Sequence, residues 1–185
     1  MKLKLIIFSL FIVIMGSVHS EVNAQETKLA LNFGPDALIP ITQTAATNDL
    51  SLGGSLQVMY SLKPKLYITA TAAYFKVKTA QLYKDLWEPW DYTFSDPSFV
   101  PVKAGLRYDL FPKLFLAADA GASLPLDSTR STSFAYSASL GTDLRLSNNL
   151  GIQLSVRYEN WALNLNSYSN FIGVRAAFAL PIIKR

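Results

Sequence analysis

From Leu150 to Asn160 the chain alternates without a break. Ile152, Leu154, Val156 and Tyr158 fall on one side, and Gln153, Ser155, Arg157 and Glu159 on the other. A period of two belongs to a β-strand with one apolar and one polar face. The pattern recurs between turn signals along the chain. "KLALNFG" precedes a connection containing "TQTAATND". "LSLGGSLQVMYSL" meets "KPK" and then "LYITATAAYF". "AQLYKDLWEPWDYTFSDPS" precedes "FVPVKAGLRYDLF", and "PK" leads into "LFLAADAGASLPL". "DSTRSTS" leads into "FAYSASLGTDLRLS", "NN" into "LGIQLSVRYENWAL", and "NLNSYSN" into "FIGVRAAFALPI". These are eight candidate strands, several about ten residues long, the length that crosses a bilayer at a tilt. "KPK", "PK" and "NN" are tight, and the other four connections are longer. Tight turns at one end and long loops at the other predict an all-β, eight-stranded antiparallel up-and-down transmembrane β-barrel.

Parity then separates two faces of different chemistry. One reads Leu56, Val58, Tyr60, Leu62; Leu66, Ile68, Ala70, Ala72, Tyr74; Val102, Ala104, Leu106; Leu116, Ala118, Ala120; Phe134, Tyr136, Ala138, Leu140, Thr142; and Ile172, Val174, Ala176, Phe178, without a charge. The other carries glycine, alanine and serine together with Lys103, Arg107, Asp109, Asp119, Asp143, Arg145, Arg157, Glu159 and Arg175. A water-facing sheet surface would carry long solvated side chains. Here the lysines Lys63, Lys65, Lys84, Lys113 and Lys184 fall in turns, loops and chain ends instead. Small residues suit the narrow interior of an eight-stranded barrel. Arginine, with its planar fork of donors, suits carboxylate pairing where water is scarce. The polar face is therefore expected to point inward, as a lumen charge network, and the apolar face to meet lipid.

Aromatic residues fall near the strand ends. Tyr60, Tyr67, Tyr108, Phe111 and Phe115 lie near the tight turns, and Tyr74, Phe99, Phe134, Tyr136, Tyr158, Trp161 and Phe171 toward the long loops, as two interfacial girdles would. If the "PK" turn sets Phe111 opposite Phe115, the register places Arg107 directly across from Asp119.

Composition narrows the remaining choices. Residues 1–24 have the layout of an export signal: Lys2 and Lys4, an apolar run from Leu5 to Met15, then small residues. Cleavage is expected after Ala24, with Ser20 as the alternative. The barrel domain then spans residues 25–185. The chain is 50% hydrophobic, yet after the signal no apolar run approaches the roughly 18 residues of a spanning helix. The net charge of +4 is scattered, which gives no footprint for nucleic acid. The sequence has no cysteine, so it has neither a disulfide framework nor a thiolate metal site. Its single histidine, His19, lies in the signal.

The stretches "LGGSLQVMYSLKPKLYITATAAYFK", "FVPVKAGLRYDLFPKLFLAADAGAS" and "IQLSVRYENWA…FIGVRAAFAL" resemble the small, porin-like outer-membrane β-barrel domain family of Gram-negative bacteria. The resemblance covers nearly all of the expected mature chain. It implies an eight-stranded barrel in the outer membrane, with the tight turns and both termini in the periplasm. It brings no catalytic residue.

No chemistry of a recognisable kind competes with that reading. Without an imidazole, Ser-His and Asp-His arrangements are unavailable. Asp85, Glu88, Asp91 and Asp96 read as ordinary loop solvation, and their spacing matches no metal-ligand loop. No catalytic, cofactor or metal site is expected. The loop "LYKDLWEPWDYTFSD" exceeds what a connector needs. Tyr83, Trp87, Trp90, Tyr92 and Phe94 offer a contact surface for an external partner or an anchor at the lipid surface. The expected function is a non-enzymatic integral outer-membrane barrel with a structural or surface-interaction role through its loops. A narrow channel for small solutes is the alternative, and a lipid-modifying enzyme the third reading. Expected partners are outer-membrane lipid and the barrel assembly machinery, with no nucleic acid, an unidentified external ligand or protein, and a monomeric state.

Overall fold

The computed structural model describes residues 27–81, 84–85, 96–128, 130–147, 149–164 and 167–184. The predicted export signal and the loop aromatics Tyr83, Trp87, Trp90, Tyr92 and Phe94 lie outside the described residues. The elements are β1 (Thr27–Ile41), a one-turn helix α1 (Thr44–Thr47), β2 (Ser51–Lys63), β3 (Leu66–Lys76), β4 (Ser98–Phe111), β5 (Leu114–Pro125), β6 (Ser133–Ser147), β7 (Leu150–Asn164) and β8 (Ser167–Lys184). All neighbours are antiparallel, and β8 pairs with β1, so the eight strands close into a barrel with no free edge.

Burial is inverted relative to a water-soluble barrel. Asn32, Asp36, Gln57, Lys103, Arg107, Gln153, Arg157, Glu159 and Arg175 are buried inside, while large hydrophobic side chains such as Leu56, Val58, Leu106, Leu140 and Val174 are exposed on the outer wall. The alternation in "LGIQLSVRYEN" thus turns Gln153, Arg157 and Glu159 into the lumen and Val156 and Tyr158 out. Thr142, on the outward parity, is buried instead; its short side chain sits in register between Leu114 and Leu154.

Three features differ from the sequence reading. First, β1 does not stop at Gly34 but runs on to Ile41. The β1–β8 ladder pauses at Gly34 and Pro35 and resumes at Asp36 opposite Arg175. Pro35 has no N–H to give. At Gly34 β8 comes so close that a Cβ would stand 2.2 Å from the Ala176 carbonyl oxygen. Glycine and proline here mark a close approach and a missing donor rather than a turn. Second, "NLNSYSN" is mostly strand: β7 ends at Asn164 and β8 begins at Ser167. Only three of the four connections at the loop end are long.

Third, the β4–β5 register is offset from the expected one. The turn is Pro112–Lys113, Phe111 pairs with Leu114, and a bulge follows, so Asp109 faces Phe115, Arg107 faces Ala117 and Asp119 faces Gly105. Such a shift, two residues opposed to one, is the ordinary consequence of a β-bulge. The β2–β3 turn repeats it, with the shift between Ser61 and Lys63. The two turns also share a sequence, "YSLKPKL" and "YDLFPKL".

Inside the loop end of the barrel Leu38, Ala73, Phe75, Val77, Ala135, Trp161 and Phe171 form an apolar cluster with Phe99 against it. Trp161 is its centre, with ring centroids 5.0 Å from Phe171, 5.2 Å from Phe99 and 6.4 Å from Phe75. Each predicted aromatic band therefore divides. Tyr60, Tyr108, Phe111, Tyr74, Phe134, Tyr136 and Tyr158 face out, whereas Phe115, Trp161 and Phe171 are buried. The buried aromatics lie on the inward parity of their strands and cap the polar lumen.

Candidate functional site

The lumen side chains come from strands all round the barrel. Glu159 on β7 has no exposed surface. Its Oε1 pairs with Lys103 Nζ of β4 at 2.9 Å and accepts from Trp161 Nε1 at 2.9 Å, and its Oε2 accepts from Arg157 Nε. Lys103 also donates to Ser137 Oγ of β6 at 3.1 Å. Arg157 reaches Asp36 Oδ1 of β1 at 2.9 Å. Its partner position on β8 is Gly173, where a Cβ would stand 2.7 Å from the guanidinium carbon. The missing side chain gives Arg157 room to lie across the lumen.

A second group sits nearer the tight turns. Arg107 pairs with Asp109 Oδ1 at 2.8 Å and with Asp143 of β6. Its guanidinium lies 3.8 Å from the centroid of the Phe115 ring and 5.6 Å from that of Tyr67. Asp143 also accepts from Gln153 Nε2 at 3.2 Å. Arg107 is thus held by two carboxylates and an aromatic face, an arrangement its planar, weakly hydrated cation tolerates in a dry site.

Arg175 differs from the other buried cations. It donates to Gln57 Oε1 at 3.1 Å, Gln153 Oε1 at 3.2 Å and the Asn32 carbonyl at 3.3 Å. Among the described residues it makes no ion pair. Asp119, predicted to face Arg107, accepts from Thr69 Oγ1 at 2.7 Å. The space left between Asp36, Lys103, Asp119, Arg157, Glu159 and Arg175 is about 40 Å³, room for a few waters at most.

Of the nine predicted lumen charges, Lys103, Arg157 and Glu159 form one cluster, and Arg107, Asp109 and Asp143 another. Asp119 and Arg175 stand apart from both. Arg145 does not enter the lumen; it is exposed at the end of β6, beside the shift between Arg145 and Ser147. The sequence reading placed Gln153 on the inward face but missed Asn32, Asp36 and Gln57. Their signal was available, since Asn32, Gly34, Asp36 and Leu38 keep a period of two straight through Gly34–Pro35.

At the loop end the connections are knitted to one another. Asp49 N donates to the Lys78 carbonyl at 2.8 Å, Ala80 N to Thr47 at 2.9 Å, and Val77 N to Pro97 at 2.8 Å. α1 folds against the outer wall, where Thr44 Oγ1 accepts from Asn170 N at 2.9 Å. It helps bury Asn160 and Asn170, which lie on the outward parity. The base of the loop 77–97 is pinned by Asp96, which pairs with Lys84 at 3.0 Å and accepts from Thr79 N at 3.1 Å. The Lys84 hydrogen bond, aided by the Thr79 amide, holds the Asp96 carboxyl below the usual carboxylate range. Among the described residues no cluster of three or more histidine, cysteine or acidic side chains is placed to hold a metal ion.

No family model matches this sequence, and no curated protein matches it. Solved structures are similar in fold. Neisserial surface protein A aligns with a TM-score of 0.58 at 10% identity, over 84% of this chain and 97% of that one. The Yersinia pestis outer membrane protein Ail, in a phospholipid bilayer nanodisc, aligns at 0.53 and 14% identity, over 84% and 99%. The outer membrane protein AlkL, in lipid bilayers, aligns at 0.53 and 13% identity, over 89% and 95%. At these identities the likeness is one of fold, that of small eight-stranded outer-membrane barrels.

Two outcomes follow. Removing Glu159 leaves Lys103 and Arg157 each short of a buried carboxylate, so Glu159→Ala is expected to cost about 3 kcal/mol or more in urea unfolding, with part recovered by adding Lys103→Met. In the same assay Arg107→Ala couples to Asp143→Ala, whereas Arg107→Ala and Asp119→Ala add within about 0.5 kcal/mol; stronger coupling to Asp119 would contradict the register. Asp96 gives a pH prediction. Because its folded pKa is depressed, its contribution is complete above the ordinary carboxylate value of about 4 and is lost as pH falls through the folded value. Lys84→Met should move the Asp96 titration, followed by carboxyl NMR, up toward the ordinary range.

Proposed function

We propose that this chain is a non-enzymatic integral outer-membrane barrel whose lumen is a sealed polar core and whose loop end is a surface for interaction. The observation that carries the reading is the inverted burial, a charged, hydrogen-bonded interior inside an apolar outer wall. In water such a wall would be an aggregation surface; in lipid it is the stable one, because the closed strands satisfy their own backbone hydrogen bonds. The similar fold of barrels studied in bilayers supports the location. On this reading the tight turns and both termini face the periplasm, after removal of the export signal.

The alternative of a solute channel meets a physical obstacle. A path through the barrel would cross the cluster of Trp161, Phe75 and Phe171 and then the Lys103–Glu159–Arg157–Asp36 ties, with only about 40 Å³ of space between them. Among the described residues a catalytic reading finds no nucleophile–base pair to support it, and we assign no reaction. The interaction role rests on the aromatic sequence of the loop between Ala80 and Asp96, whose base is pinned by the Lys84–Asp96 pair.

Location is tested by charge on the outer wall. Ala120 is exposed in mid-strand, between Ala104 and Tyr136. Ala120→Arg should cost about 2–4 kcal/mol in a bilayer, whereas on a water-facing surface it would cost within about 0.5 kcal/mol. In planar bilayers the wild-type barrel should show no stable unitary conductance; a reproducible step would favour the channel. For the loop, Trp87→Ala with Trp90→Ala should cut the capture of cross-linked surface partners from intact cells several-fold while leaving unfolding in detergent unchanged. A large stability loss with unchanged capture would make these tryptophans part of the barrel anchor.

A further inference from the structure

The two ends of the barrel differ in charge. At the tight-turn end Lys28 on β1, Lys63 and Lys65 at the β2–β3 turn, and Arg145 on β6 are exposed. None of the four makes an ion pair among the described residues. The acids at that end, Asp109 and Asp143, are engaged with Arg107 inside. Glu26 and Arg185, one of each sign, lie outside the described residues. The loop end is mixed, with Lys76, Lys78, Lys84 and Arg130 set against Asp49, Asp85, Asp96 and Asp127.

The cations stand beside an outward aromatic collar. Tyr60, Tyr108 and Phe111 are 43%, 50% and 64% exposed on the outer wall. Lys63 follows Tyr60 by three residues, about 10 Å along an extended strand. Lys65 has φ 68°, the left-handed position of a proline turn that glycine or asparagine usually fills. The fold thus carries a cation where an uncharged residue would sit with less strain.

We propose that these cations bind the phosphate headgroups of anionic phospholipids in the leaflet at the tight-turn end. The inference rests on the membrane reading above and adds which lipids the barrel recognises and with what. Apolar wall, aromatic collar and basic rim follow one another in the order of hydrocarbon, interface and headgroup. Lysine suits the last layer, since its stem lies along apolar surface while the ammonium reaches the phosphates. Lys28, Lys63 and Lys65 lie on the neighbouring β1, β2 and β2–β3 turn, and Arg145 lies across the barrel on β6. The cations thus stand on two sides of a wall that lipid surrounds, and a soluble polyanion lying along one side would not reach both. Attraction of this kind acts within about one Debye length, roughly 8–10 Å, and is lost in high salt.

The test uses the full mature chain reconstituted into vesicles of phosphatidylcholine alone or with one third phosphatidylglycerol, with the apparent unfolding temperature read from the heat-dependent gel shift. The anionic lipid should raise the wild-type value by about 5 °C or more, and 0.5 M NaCl, about a threefold shorter screening length than at low ionic strength, should remove most of the rise. The triple variant Lys63→Gln, Lys65→Gln, Arg145→Gln should lose the rise in phosphatidylglycerol while matching the wild type in phosphatidylcholine. Lys65→Gly is the internal control for folding, because it relieves the backbone and removes one charge; it should be at least as stable as wild type in phosphatidylcholine and less responsive to the anionic lipid. An equal rise in the triple variant, or a rise insensitive to salt, overturns the proposal. So does retention of the wild-type barrel on immobilised polyglutamate with no effect of phosphatidylglycerol, which reassigns these cations to a soluble polyanion. Failure to insert into either vesicle overturns the membrane reading itself, whereas insertion without lipid dependence overturns only this inference.

Discussion

Glu159 is fully buried and is met there by Lys103 from β4 and by Arg157 and Trp161 from its own strand, and Arg157 goes on to Asp36 on β1. These contacts tie β1, β4 and β7 across the lumen, where the backbone ladder joins only neighbours. A carboxylate without exposed surface is tolerable only when such partners surround it. Their presence in turn requires the parity of each contributing strand. The small residues beside them follow from the same constraint: Gly173 leaves space for the Arg157 guanidinium, and an eight-stranded barrel has little room to give elsewhere.

Such networks are weak sources of net stability, because the desolvation of each ion offsets much of its pairing. Their consequence here is registry. With a side-chain period of two, slipping β7 by one residue would turn Arg157 and Glu159 onto the apolar wall and bring Val156 and Tyr158 into the lumen. The penalty for that slip falls on two charges at once. A wholly apolar lumen would have no such discrimination, since its inner and outer faces would be chemically alike. The charges thus distinguish inside from outside in a fold whose backbone pattern is the same on both.

Much of this was legible in the sequence, and the failures have physical causes. Alternation located the strands and gave the inward face, because only one parity carried charge. Asp36 was missed because Gly34–Pro35 resembles a turn; locally it is one of the few sequences that permits a close β8 approach and a skipped donor. The Arg107–Asp119 pairing failed by two residues, one because Phe111 pairs with Leu114 rather than Phe115 and one from the bulge that follows, which no propensity signals; bulges recur at Ser61–Lys63, Asp109–Phe111 and Arg145–Ser147. Arg145 was lost for a related reason, since parity ceases to mean inside or outside where a strand passes the end of the lumen. Phe115, Trp161 and Phe171 were counted with the girdles by their distance from the strand ends, although their parity already placed them inside.

The proposed reading of a closed lumen places function at the two ends of the barrel. The Trp161 cluster lies inside the loop end, and Arg107 stacks on Phe115 nearer the turn end. On the reading proposed above, the interactions of this barrel are carried by its rims. The two rims are built differently: one is a set of connections hydrogen-bonded to each other from Thr42 to Pro97, the other a series of short turns that can hold only a few side chains each. A knitted set of loops can present a shaped surface, because its backbone is fixed by Asp49–Lys78, Thr47–Ala80 and Val77–Pro97 bonds. Short turns cannot form a pocket, and their recognition must rest on charge and its spacing. Shape at one end and charge at the other is the division of labour that the two proposals together assign to this barrel.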